Sequence, residues 1–204
     1  AALEVLKGRH ARAVALCHKV GTSCVAMRDA DKLDWYFKGL AADDVTTLGM
    51  ILRTNGLPQV RKLYLFRNGF GDAGLQALCE GLGCGAAPSL RRLEIGMNQF
   101  GPVGAETLAA ALRRGALPNL EVLGLGGNPI GNQGVAALAA PLRKLSELKV
   151  LILTKCEIGD EGVATLVAGL GKDDFKALEK LSLGGNEITD AGMVKIVATI
   201  DAGG

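Results

Sequence analysis

The sequence predicts an α/β solenoid, a stack of strand, turn and helix units, and three observations predict it. Asn68, Asn98 and Asn128 stand 30 residues apart, Cys156 follows after 28, and Asn186 after another 30. Before each of these positions lies an alternating aliphatic pair, and after each lie aliphatic residues spaced by four. Alternation marks a half-buried strand, and a spacing of four marks an amphipathic helix. A repeat of roughly 20 to 50 residues marks an array whose neighbours bury one another's apolar faces.

Each unit opens on an apolar anchor: Val60, Leu90, Leu120, Leu148 or Leu178. Three residues on comes the strand pair, Leu63 and Leu65, Leu93 and Ile95, Leu123 and Leu125, Leu151 and Leu153, or Leu181 and Leu183. Past the Asn or Cys an apolar residue enters the turn, as Phe70, Phe100, Ile130, Ile158 and Ile188, and a glycine follows at 74, 104, 134, 162 and 192. The helix then carries Leu78 and Leu82, Leu108 and Leu112, Leu138 and Leu142, Leu166 and Leu170, Ile196 and Ile200. Pro58, Pro88 and Pro118 precede the next anchor by two residues, where proline ends a helix and leads into extended chain. Pro141 is expected to end its helix early, and a local irregularity is expected between Leu142 and Leu151, a segment two residues shorter than its counterparts.

Counting back 30 residues uncovers an earlier unit with Leu33 and Trp35 as its strand pair, Leu40 after it, and Leu48 and Leu52 on its helix. Lys38 takes the asparagine slot and Asp44 the glycine's place, so its turn must close in another way. Six units result: 30–59, 60–89, 90–119, 120–147, 148–177 and 178–204. Residues 1–29 fall outside the frame. Leu3, Leu6, His10, Val14 and Cys17 share one helical face there, so this segment is expected to be a helical cap or flank over the open end. With four residues after Ile200 and no polar cap, the array is expected to be part of a longer chain.

Hydrophobic residues make up 49% of the chain but aromatics only 4%, so the core is aliphatic, and 29 glycines imply frequent turns. A net charge of +2 provides no field that favours nucleic acid or a membrane surface. There is no apolar run long enough to span a bilayer and no signal-like N-terminal pattern. Cys17, Cys24, Cys79, Cys84 and Cys156 are odd in number and lack the spacing of a disulfide framework or zinc site. A cytoplasmic protein with reduced thiols and no metal or other cofactor is the expectation.

Around the slots, as in Leu-Gly-Leu-Gly-Gly-Asn-Pro-Ile-Gly-Asn-Gln-Gly at 123–134, the chain resembles the ribonuclease-inhibitor-type leucine-rich-repeat family over residues 30–204. The resemblance implies a right-handed horseshoe arc with parallel strands on its concave face and helices on its convex face. It also implies a hydrogen-bond ladder from the slot asparagines to turn backbone, with Cys156 in place of one of them. Members include inhibitors of secreted ribonucleases, sensor regions of NOD-like immune receptors and GTPase-activating proteins for Ran, so the fold does not select a function. Binding of macromolecules is what they share.

The recurring glycines invite a phosphate-loop reading, but no G-x-x-x-x-G-K-[ST] is present, and the glycines keep the repeat register, where tight turns use them. His10 and His18 have no triad partners in sequence, so no catalytic residue is expected. A reactive thiol at Cys84 stays open. Arg61, Lys62, Arg67, Arg91, Arg92, Arg113 and Arg114 are interleaved with Glu94, Glu106 and Glu121, a solvated mixed-charge surface rather than a phosphate track.

Side chains that alternate with the buried ladder must face outward. They are Asp34 and Tyr36, Tyr64 and Phe66, then Glu94 and Gly96, Gly124 and Gly126, Ile152 and Thr154, Ser182 and Gly184. Aromatics gather at the N-terminal end, with Phe37, Arg67 and Met97 just past the strands. Aromatic and arginine side chains dominate interface energetics. The expected partner-binding residues are therefore Asp34, Tyr36, Phe37, Tyr64, Phe66, Arg67, Glu94 and Met97, and the expected partner is another protein. The chain reads as a non-enzymatic scaffold; the alternatives are a GTPase-activating region resembling those that act on Ran, and an architectural subunit of a large assembly. A competing possibility is that the N-terminal segment folds over the aromatics and makes them core.

Overall fold

The computed structural model describes residues 2–83, 86–171 and 173–201. Two helices, α1 (Ala2–Val20) and α2 (Cys24–Asp29), precede alternating strands and helices. These are β1 (Lys32–Asp34), α3 (Ala42–Arg53), β2 (Lys62–Tyr64), α4 (Gly71–Gly81), β3 (Arg92–Glu94), α5 (Pro102–Arg113), β4 (Val122–Gly124), α6 (Gly131–Arg143), β5 (Val150–Ile152), α7 (Asp160–Val167), β6 (Lys180–Ser182) and α8 (Asp190–Asp201). The strands form one parallel sheet in chain order. Leu33, Leu63, Leu93, Leu123, Leu151 and Leu181 lie in one register across it, and all but Leu181 are buried.

Consecutive helices pack on one another beside this sheet. Neighbouring strands are spaced by about 4.8 Å and packed helices by about 8–10 Å, so the array must curve toward its strands. The strand face is the inner face of the arc, and the aliphatic core, with Trp35 inside it, lies between sheet and helices.

The slot residues stitch the turns. Asn98 donates from Nδ2 to Leu65 O and Ile95 O, both at 2.9 Å, while its Oδ1 accepts from Asn68 N–H at 2.9 Å and Gly69 N–H at 3.0 Å. Asn68, Asn128 and Asn186 likewise bridge their own strand to the preceding unit. Cys156 replaces the amide with one weak donor, Sγ at 3.7 Å from Leu125 O. In the first unit Lys38 N–H and Leu40 N–H donate to Asn68 Oδ1, and Asp44 closes the turn by accepting from Ala41 N–H at 2.8 Å.

Several details differ from the sequence expectation. Pro141 does not end α6, which runs on to Arg143: the proline forgoes its own hydrogen bond and crowds the preceding turn, but the burial of Leu138, Ala139 and Leu142 around it holds the helix through that position. The irregularity falls instead after α7, the eight-residue helix, where Arg143 Nη2 donates to Thr165 O and Leu166 O, both at 2.7 Å, and so satisfies carbonyls at the helix end. On α1 the predicted face is only partly used. Leu16, Cys17 and Val20 are buried where α1 lies on α3, but Leu3, Leu6 and His10 are exposed because the first turns extend past that contact. Cys84 and the side chain of Ile200 lie outside the described residues.

Candidate functional site

On the inner face each rung places side chains of successive units one above the next, because parallel in-register strands align equivalent positions. The Tyr36 and Phe66 rings are stacked, with centroids 5.5 Å apart and planes within 11°. Tyr36 also meets Phe37 at 6.4 Å. The Arg67 guanidinium sits 4.8 Å above the Phe37 ring, and the Lys32 ammonium 5.0 Å above that of Tyr64. α1 packs on the helix side, and the cluster stays open: Phe37 is 64% exposed, Tyr36 49% and Met97 42%, while Tyr64 and Phe66 are half-buried.

The half-burial of Phe66 has a simple cause. Its ring lies across Gly96, where a Cβ would come within 2.8 Å of it and 2.6 Å of Gly126 O. Met97 leans on Gly127 in the same way, and the Glu94 carboxylate reaches over Gly124. Gly96, Gly124 and Gly127 thus accept side chains from the preceding unit, while Gly126 meets Thr154 of the next. These glycines also floor a depression of about 160 Å³, walled by Phe66, Glu94 and Met97 on one side and Ile152, Thr154 and Lys155 on the other. Lys155 is the member that the sequence reading missed; its place two residues past the strand pair, shared with Phe37 and Met97, was the available signal.

Charge on this face is paired locally. Lys32 meets Asp34 at 2.9 Å and Arg92 meets Glu94 at 2.9 Å. The Asp34 carboxylate raises the Lys32 pKa, and Lys149 with Arg91 holds the Glu121 carboxyl below its ordinary range. On the helix side, within α5, Arg113 pairs with Glu106 at 2.6 Å. Solvent-screened pairs of this kind contribute little to stability; they set a mixed-sign surface rather than a cationic track.

Away from the face, Cys79 and Cys156 are buried, and burial pushes their thiols up to about 12 and about 11. Thiols so far from ionisation are poor nucleophiles. His10 and His18 are exposed on α1. Among the described residues no helix is long and apolar enough to cross a membrane.

A family model described as Leucine Rich repeat matches residues 58–79, 86–109, 116–139, 145–167 and 177–197. Comparison with curated proteins yields no match. Among solved structures the chain is similar to an internalin (inlF) of Listeria monocytogenes, with 22% identity and a TM-score of 0.47, over 74% of this chain and 35% of that one. An internalin C2 of the same organism gives 18% identity and 0.38, over 87% and 84%. The yeast Rad7 and Elc1 complex gives 15% and 0.35, over 95% and 59%. The chain spans about a third of the length of the inlF internalin.

Proposed function

Because the chain belongs to the leucine-rich-repeat family, we propose that it is a non-enzymatic protein-recognition module of the ribonuclease-inhibitor-like type, acting in the cytoplasm. It binds another protein along the inner strand face, at the end formed by Asp34, Tyr36, Phe37, Tyr64, Phe66, Arg67, Glu94 and Met97. The observation that carries this reading is the open aromatic cluster. Tyr36 and Phe37 keep about half or more of their surface in water while Phe66 and Arg67 hold them in place. Pre-ordered exposed aromatics lose little conformational freedom on binding, and they bury large apolar areas against a partner. The free, buried thiols Cys79 and Cys156 support a reducing compartment.

The test begins with a photo-reactive phenylalanine analogue at position 37, which identifies the partner by cross-linking. Replacing Tyr36 and Phe37 together by Ala is then expected to weaken binding by at least about 2 kcal/mol. The melting temperature is expected to change little, since both side chains are largely in water. Unchanged affinity with a large loss of stability would place these rings in the protein's own packing instead.

A further inference from the structure

The link between α1 and α2 brings two thiols together. Gly21 N–H donates to His18 O at 3.1 Å and Thr22 N–H to Cys17 O at 2.9 Å, with Gly21 at φ +79°, a turn that stops α1. Ser23 then caps α2, its Oγ accepting from Ala26 N–H at 3.1 Å, so the new helix starts at Cys24. Two caps this close together fold Cys24 back onto the last turn of α1. The Sγ atoms of Cys17 and Cys24 stand 2.7 Å apart, and both thiols are free. A disulfide is about 2.05 Å long, so about 0.7 Å of approach closes the bond.

We propose that Cys17 and Cys24 are a site of reversible disulfide formation, reached by thiol–disulfide exchange with a small disulfide such as oxidised glutathione. Cys24 is half-buried whereas Cys17 is 2% exposed, so Cys24 meets the oxidant first. After losing its proton to solvent, Cys24 Sγ attacks one glutathione sulfur, the glutathione S–S bond breaks, and the first glutathione leaves as thiolate. Cys17 then loses its proton and attacks Cys24 Sγ, forming the protein disulfide and expelling the second glutathione. Two protein thiols are oxidised by two electrons, and one oxidised glutathione becomes two reduced ones. Burial, with the neighbouring Cys24 sulfur, pushes the Cys17 thiol up to about 12, so Cys17 resists giving up its proton. The fixed juxtaposition of the sulfurs works against that barrier. The bond ties α2 to α1 at the end of the array from which β1 departs, and the inference does not depend on the partner-binding reading.

Peptide mapping tests it. Trypsin cuts after Arg12, Lys19 and Arg28, so residues 13–19 and 20–28 separate unless a bond joins them. The folded chain, equilibrated in glutathione buffers of graded ratio, acid-quenched, alkylated and digested without reduction, is expected to yield the joined pair. Its fraction should rise with the oxidised share and vanish on reduction. Cys17→Ser is expected to hold glutathione on Cys24, and Cys24→Ser to leave Cys17 unmodified. The proposal is overturned if the parent stops at the glutathione adduct, if either cysteine bonds elsewhere, or if the joined pair forms only in denaturant.

Discussion

Phe37, Arg67, Met97 and Lys155 occupy equivalent turn positions with φ of 51°, 59°, 53° and 53°, while Gly127 and Gly185 fill the same position in two other units. The left-handed region costs a residue with a Cβ about 1–2 kcal/mol, and glycine removes that cost. Four units therefore hold a long side chain on the inner face against a local preference for glycine. Strain kept in this way accords with a use for the side chains, since their packing is slight. Met97→Gly is expected to raise stability by up to about 1 kcal/mol in chemical denaturation, because relief of strain outweighs the contact with Gly127. Met97→Ala keeps the strain, loses the contact, and is expected to raise nothing. A destabilised Met97→Gly would mean that this side chain serves packing after all.

At the scale of the elements, a second ladder joins the helices. Asp72 Oδ1, on α4, accepts from Gly101 N–H and Gly104 N–H at 2.8 Å each, which caps the start of α5 from the neighbouring unit. Asn132 does the same for α7 through Gly159 and Gly162, and Asp160 accepts from Thr189 N–H ahead of α8. Pro102 stands at this position in α5 and has no side-chain oxygen, so the ladder skips α6. Losing a cap of this kind costs about 1 kcal/mol, so Asp72→Ala is expected to lower the denaturation midpoint by that amount, whereas Asp72→Asn keeps the acceptor and most of the stability. Equal losses in the two variants would show that charge, not the acceptor, matters at this position. The aliphatic frame was legible in the sequence because burial repeats with the periods of strand and helix, and the slot asparagines because they share its register. The cap at Asp72 was not, since its partners lie about one repeat away and Pro102 interrupts the pattern. The inner-face residues were legible as a set from alternation alone. Their arrangement, Tyr36 on Phe66 and Phe66 across Gly96, depends on rotamers and strand stagger that no spacing encodes.

For the whole molecule, stability is a sum over neighbouring units, and burial across the array follows it. Leu75 and Val135 are buried by the helix that follows them, whereas Met193, in the same register on α8, is 48% exposed. Leu181, Leu183, Ile188 and Ile196 are only half-buried, where their counterparts in the central units are closed off. The unit of β6 and α8 is held from one described side, and part of that hold is Asp160, whose Oδ2 accepts from Thr189 Oγ1 at 2.5 Å. The Thr189 hydroxyl and backbone lower the Asp160 pKa. A carboxyl whose folded pKa lies below its unfolded value of about 3.9 stabilises the fold above that value and ceases to do so as pH falls through the folded one. Amide exchange, normalised for intrinsic rates, is thus expected to show α8 less protected than α5 at neutral pH. The gap should widen below about pH 4 as Asp160 takes up its proton. In Asp160→Asn, which retains an acceptor but cannot titrate, the added acid loss at α8 is expected to disappear. If α8 matched α5 at neutral pH, the neighbour-sum account of this end would be wrong; if the acid loss survived in Asp160→Asn, another group would be responsible for it.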